Sequence, residues 1–459
     1  MYSAIVLGDD IWSQLYHGIF SLQFLQFLIA FLSFFGFVLI SAMILILAER
    51  KVMGWMQDRV GPMHTGPWGL LQTVADVGKL ILKEDLHAAK TDKAIFILAP
   101  SVFLAPVIAA FAVLPFSPYL GLPGTALATG IVYLVAMSSL DVIGVIMAGW
   151  GSNNKYALMG GLRSAAQMIS YELPLVLALV GVVMLTSVLA GTSGYPGNTS
   201  IGTISVKEII DFQNVWPRSG SGNAVLDFIF QGFTPWAWFF LVQPLMLIIY
   251  YTCGLAETNR APFDLPEAES ELVAGYLTEY SGLRWGLFFL GEYGNMTIVS
   301  AIATSLFLGG WSGPGVAFLT ASHMAVGWQI LGNFLGVGYF IAKVYLLCIV
   351  FIWVRSTLPR LRADQLMQFA WLILIPVTLG NILLTGLIYL LLNPLQLPSW
   401  VFLVVTGLIN WLLLIGFIRV VGRATVASTR RAQAPAIRAR QRTAAAQLPE
   451  RAGVAGGGK

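Results

Sequence analysis

Thiols and imidazoles are scarce in this chain, which has two cysteines and four histidines in 459 residues. An iron–sulfur cluster takes several spaced thiolates. Cys253 and Cys348 cannot supply them, and they form no pair motif that points to a disulfide framework or a thiolate metal site. A haem between helices needs axial His, Met or Cys, and none of His17, His64, His87 and His323 falls in the middle of an apolar run. There is no GxxxxGK[ST] phosphate loop and no GxGxxG fingerprint. Nucleotide hydrolysis by a P-loop and a redox group of its own are therefore not expected. Binding a mobile apolar substrate and conducting ions both stay open. Charge is scarce too: 10% of residues are charged, where a soluble domain carries about 25%.

Apolar sequence takes the place of charge, at 57% of the chain. A helix needs about 20 apolar residues to cross the hydrocarbon core. Nine runs qualify, near 20–48, 95–116, 127–149, 171–190, 234–256, 286–308, 336–356, 367–391 and 400–420. The expected fold is an all-α integral membrane protein of nine transmembrane helices, one polytopic domain over 1–420 followed by a disordered basic tail, 421–459. Placing the N-terminus outside puts 23 of the 26 Lys and Arg on inner segments. Only Lys207 and Arg218 then lie outside, and Lys343 lies within a run. This positive-inside bias predicts a cytoplasmic C-terminus. No cleavable signal peptide is visible. Residues 191–233 read as a long outer loop.

The inner segments hold the candidate chemistry. Glu49, Arg50 and Lys51 mark the end of the first run, and Arg59 and a Gly61-Pro62 turn follow. Leu70, Leu71, Val74, Val77 and Ile81 recur at helical spacing, with Asp76, Lys79 and Lys83 on the other side, which predicts an amphipathic helix. Its apolar stripe lies either on lipid, as a surface anchor, or on the bundle, where the helix could wall a cavity opening sideways to the bilayer. Residues 257–279 gather Glu257, Asp264, Glu267, Glu269, Glu271 and Glu279 around Arg260. Asp264 can cap a helix starting at Leu265-Pro266, and acids suit such a first turn. Yet Glu269 points to nearly the opposite face from Glu267 and Glu271, which a helix start does not require. Crowded carboxylates raise one another's pKa and can pass protons. Asp141, Glu172 and Glu292 place further acids in or at the ends of runs, where ionisable groups are expensive. The loop cluster and these acids form a candidate proton relay. Arg59, Lys79, Arg163 and Arg284 are its candidate basic partners.

Four segments, ERKVMGWMQDRVGP, ADVGKLILKED, GLRSAAQMISYE and AETNRAPFDLPEAESELVAGYLTEY, resemble signatures of one family in matching order: the quinone-site membrane subunits of respiratory complex I, NADH:quinone oxidoreductase. The resemblance runs from about residue 20 to 420. It implies a subunit of an oxidoreductase and proton translocase that joins the membrane and peripheral arms. Such a subunit walls much of a chamber for a quinone, ubiquinone or menaquinone, and couples quinone reduction to proton translocation. FMN and iron–sulfur clusters sit on partner subunits, and the location is the bacterial inner (plasma) membrane. Carried over by motif, Glu49, Arg50, Lys51, Arg260, Asp264 and Glu267 belong to the quinone chamber. Glu257, Glu267, Glu269, Glu271, Glu279, Glu172 and Glu292 belong to the proton relay. Arg163 matches the basic residue between the third and fourth runs.

The chain departs from the family in two places. Many relatives read GPNRVGP where residues 61–67 read GPMHTGP, so His64 stands in place of an arginine. Some relatives carry the third-run acid at the place of Ser139, whereas here it is Asp141, about 200° away on an ideal helix. The corresponding subunit of a membrane-bound hydrogenase, an F420 dehydrogenase or a ferredoxin-driven complex would share these motifs. A stand-alone ion transporter would share only the intramembrane acids.

Overall fold

A computed structural model describes residues 22–86, 88–119, 125, 127–189, 202–214, 233, 235–265, 274–321, 325–395 and 401–422. Three acids of the loop cluster, Glu267, Glu269 and Glu271, lie outside the described residues, as do most of the 191–233 loop and the tail from 423 onward.

Every regular element among the described residues is helical. In chain order they are α1 (Leu22–Met56), α2 (Gln72–Leu82), α3 (Lys93–Ala110), α4 (Gly130–Gly151), α5 (Lys155–Leu189), α6 (Val206–Gln213), α7 (Pro244–Glu257), α8 (Gly282–Phe307), α9 (Val326–Thr357), α10 (Ala363–Leu395) and α11 (Val401–Gly422), with short single turns between them. Seven of these, α1, α3, α4, α5, α9, α10 and α11, are long and apolar enough to cross a membrane.

Two of the nine expected spans differ from the rest. The run 234–256 is broken: a non-helical residue, Gln243, separates the turn Phe239–Val242 from α7, which has 14 residues. Pro244 explains the break, because the residue before a proline is pushed out of the helical region. The run 286–308 is the 26-residue helix α8, which lies at the centre of the bundle and buries nearly its whole second half. Its glycines, serines, threonines and asparagine lower its hydropathy, and they suit a helix surrounded by other helices, where small residues let backbones approach.

Helix ends also shift. α1 continues past Glu49-Arg50-Lys51 to Met56. The inner segment 150–170 is mostly helix, since α5 begins at Lys155 and runs for 35 residues. α10 contains a wider π turn at Phe369–Leu374, immediately before Pro376. A proline inside a helix clashes with the carbonyl four residues back and cannot donate to it, and the wider turn absorbs that misfit.

The amphipathic segment forms α2 as expected, but its apolar stripe does not face the bundle. Leu70, Leu71, Val74, Val77, Ile81 and Leu82 are exposed. Thr73 is buried, and Leu80 lies against Gly286 of α8. The far end of α8 is closed by polar side chains that donate to backbone carbonyls. Lys343 Nζ donates to the carbonyls of Leu308 (2.9 Å), Gly310 (3.0 Å) and Ser312 (2.8 Å) and sits 4.3 Å from the Trp238 ring. Gln213 donates to Ser305 O (3.1 Å) and Leu306 O (3.2 Å). Backbone at membrane depth must find such partners within the protein.

Close packing rests on glycine, above all where α3 meets α4. A Cβ at Gly144 would lie 2.8 Å from the Phe103 backbone. Gly144→Ala should therefore destabilise the detergent-solubilised protein by about 1–3 kcal/mol. Gly380→Ala, where nothing lies within 4 Å, should leave it unchanged or slightly more stable. Thermal aggregation of the two variants measures the difference, and equal midpoints would refute the close-approach account.

Candidate functional site

A group of buried charges lies where the end of α1 meets the segment after α7, α8 and the end of α9. Glu49 on α1 is 4% exposed and Arg260 is also 4% exposed. Arg260 Nη1 stands 3.4 Å from Glu49 Oε2, and Nη2 stands 3.9 Å from Glu292 Oε2 on α8. Arg355, from the end of α9, forms an ion pair with the other oxygen of Glu49. Tyr293 donates its hydroxyl to Glu49 Oε2 (2.5 Å), and Tyr276 donates to Glu292 Oε1 (3.2 Å). The Arg260 guanidinium carbon lies 4.2 Å from the centre of the Tyr293 ring. Two cations thus face two carboxylates in a nearly dry setting, which is the condition under which buried charge is tolerated. Burial alone would lower the pKa of Arg260, but Tyr293, Glu49 and Glu292 around it raise it. The guanidinium stays charged.

The other acids form a second group, between helices. Asp141 on α4 is 1% exposed and accepts a 2.5 Å hydrogen bond from Asn295 Nδ2 on α8. It lines a cavity of about 30 Å³ together with Ser138, Tyr250, Glu257 and Asn295, wide enough for a water molecule. Glu257 closes α7, is buried, and lies within electrostatic reach of both Glu172 and Asp141. Glu172, half-buried on α5, faces Ser139. The third-run acid, two residues beyond its place in some relatives, therefore points inward at α8.

The remaining candidates are placed separately. Asp264 is buried and pairs with Arg360 at 2.8 Å; the helix start it was expected to cap falls outside the described residues. Glu279 accepts from Asn154 Nδ2 at 2.8 Å. Arg50 is exposed and pairs with Asp76 of α2 at 2.5 Å. Lys51 Nζ donates to Trp68 O (2.6 Å), and Arg59 Nε donates to Gln57 (2.7 Å). Arg284 pairs with Asp85 at 2.9 Å. Arg163 is half-buried on α5, and Lys79 is exposed on α2.

Sequence reasoning did not find Tyr276, Tyr293, Asn295, Arg355 or Arg360. Arg355 and Arg360 counted only as positive-inside charges. The one usable signal was the Glu292-Tyr293-x-Asn295 patch of polar groups within an apolar run.

Known proteins match this chain over most of its length. The family model described as NADH dehydrogenase matches residues 29–386. The chain belongs to the NADH dehydrogenase family. Among its relatives, a Dehalococcoides mccartyi protein, named as the H-type subunit of NADH-quinone oxidoreductase, is 45% identical over 77% of this chain and 84% of its own length. A Brevibacillus brevis protein of the same name is 46% identical over 74% and 86%. The first of the H-type subunits of Geobacter sulfurreducens is 41% identical over 77% and 92%. With its apolar helices, this member of the NADH dehydrogenase family is a multi-pass membrane protein.

The charge cluster can be tested without an activity assay. Arg260→Met leaves Glu49 and Glu292 buried with less positive charge, which should cost about 3–5 kcal/mol and deplete the folded chain in membranes. Adding Glu292→Gln should restore part of the yield. Immunoblots of membrane fractions report both, and a full yield from the single variant would show that the cluster is not coupled.

Proposed function

We propose that the chain is the quinone-site membrane subunit of a proton-pumping NADH:quinone oxidoreductase, in which it forms much of the quinone-binding chamber and starts the coupling of quinone reduction to proton movement. The observation that carries this reading is the buried Glu49–Arg260–Glu292 cluster with Arg355 and Tyr293. Arg50, the residue after Glu49, lines an opening bounded by α1, α2 and the start of α8. A quinone head is polar and its tail apolar. Buried cations and hydroxyls suit the head, and an opening beside an amphipathic helix suits arrival from the bilayer. The names of the relatives support the assignment, since they are subunits of NADH-quinone oxidoreductase. FMN and the iron–sulfur clusters would then belong to partner subunits of the peripheral arm, and small membrane-arm subunits would pack against this chain.

In this reading protons taken up on quinone reduction pass along carboxylates. The loop acids Glu267, Glu269, Glu271 and Glu279 hold them near the chamber, and Glu257, Glu172, Asp141 and Glu292 carry them into the membrane. The proximity of Glu257 to both Asp141 and Glu172 supports such a chain. Orientation follows the charge bias: N-terminus outside, C-terminus cytoplasmic, in a bacterial inner membrane.

The deciding experiment is purification of the tagged chain in mild detergent with its co-purifying subunits, assayed for NADH-to-quinone electron transfer. Inhibitor-sensitive quinone reduction by a large complex is expected. A complex without NADH activity would assign the chain to a hydrogenase or another donor module, and a lone chain that moves ions in liposomes would make it a transporter. Within the active complex, Glu257→Gln should lower quinone-linked proton translocation by roughly tenfold or more, as loss of a positioned proton-transfer group does. NADH oxidation by an artificial acceptor should persist. Normal pumping in that variant would remove Glu257 from the relay.

A further inference from the structure

The turn that follows α7 carries one residue into each of the two charged groups. Glu257 closes α7 beside Glu172 and Asp141, and Arg260, three residues on, reaches Glu49 and Glu292. Between them the chain reverses at Asn259, whose φ of 48° is left-handed, and Arg260 N donates back to Leu255 O at 3.2 Å. One face of α5 grips this turn. Gln167 is fully buried, and its Nε2 donates to Ala256 O at 2.8 Å and to Phe263 O at 2.5 Å, one carbonyl on either side of the reversal. Ser164, one helical turn earlier, donates to Asn259 Oδ1 at 3.3 Å. The Tyr171 ring, one helical turn later, lies 5.5 Å from that of Phe263. Residues three and four apart share a helix face, so the three contacts come from one surface of α5. Gln167 Oε1 accepts from no described residue. Leaving such an oxygen buried costs stability, and an apolar side chain of similar length would fill the space without that cost. Packing alone does not account for an amide here; the two carbonyls that it holds do.

We propose that Gln167 is a positioning residue for the coupled reaction: by tying both ends of the 256–263 turn to α5, it sets Glu257 against the intramembrane acids and Arg260 against Glu49 and Glu292 at the same time. The proposal rests on the reading of the chain as the subunit that couples quinone reduction to proton movement. Both charged groups depend on short distances. Arg260 Nη1 and Nη2 stand 3.4 and 3.9 Å from their carboxylate oxygens, and a misplacement of about 1 Å in a reacting constellation can cost up to about a hundredfold in rate. Ser164 and Tyr171 each hold the turn at a single point, whereas Gln167 spans it. The hydrogen bonds of Gln167 go to backbone carbonyls and, at 3.4 Å, to Asn259 Oδ1. None goes to a carboxylate or to Arg260, so Gln167 acts through the two residues whose places it fixes.

The test compares the intact purified assembly with its Gln167→Met and Thr186→Val variants, the latter losing a hydrogen bond near the far end of α5. Amounts are matched by NADH oxidation with an artificial acceptor. Quinone reduction and protons moved per NADH are measured in liposomes, and backbone hydrogen exchange of the 256–263 peptides is read by mass spectrometry. Gln167→Met should exchange there about tenfold faster, the ordinary strength of one or two hydrogen bonds. Per complex it should reduce quinone about tenfold more slowly and move fewer protons per NADH. Thr186→Val should lower only the yield. If Gln167→Met fails to assemble, Ser164→Ala should show the same pattern at about threefold. Unchanged exchange would show that Gln167 does not hold the turn. Faster exchange with unaltered turnover and proton ratio would reduce it to a packing residue. An unaltered assembly that reduces no quinone would instead overturn the quinone-subunit reading itself, and the hold on the turn would still be judged by exchange.

Discussion

Burying Glu49 beside Arg260 is the constraint on which the rest of the arrangement turns. Neither group can leave water alone, because the desolvation cost of a lone ion exceeds what packing returns. Both must therefore be brought together with Arg355, Glu292 and Tyr293, and these come from α1, the segment after α7, α8 and α9. Satisfying one charge fixes the relative heights of four parts of the chain. It also keeps a polar, preorganised patch at the helix ends, where a membrane protein would otherwise present only hydrocarbon.

α8 links this cluster to the intramembrane acids. It carries Glu292 and Tyr293 into the cluster and Asn295 onto Asp141. These residues lie within one turn, so a displacement of α8 at one group is felt at the other. A helix in this role cannot be uniformly apolar, and its glycines let Phe103 and Val107 of α3 approach its backbone. Rigidity and polarity are thus provided by the same stretch.

Much of the bundle was legible in the sequence because an apolar run of membrane length is seldom stable anywhere but in lipid. α1, α3, α4, α5, α9, α10 and α11 overlap expected runs, though α1, α5 and α9 extend well beyond them. Hydropathy says nothing about which polar residues continue a helix. The break at Gln243 was written in Pro244 but hidden by the apolar run around it. α2 was legible as a helix; its rotation was not, because both lipid and bundle accept an apolar stripe. For the site, the acids themselves stood out as misfits in an apolar chain. Their partners did not: Arg355 lies 306 residues from Glu49, and only the folded bundle brings them together. Asp141 is the instructive case, since its offset from the family position suggested another face, while its contact with Asn295 turns it inward.

The lysine on α9 has a consequence for biogenesis. An ammonium group released into hydrocarbon costs about 3 kcal/mol on the gentler insertion scales. The three carbonyls that receive Lys343 lie 31 to 35 residues earlier in the chain. They leave the ribosome first. The seat can thus be waiting in the membrane when α9 follows, so that the ammonium group meets its three carbonyls without first standing alone in lipid.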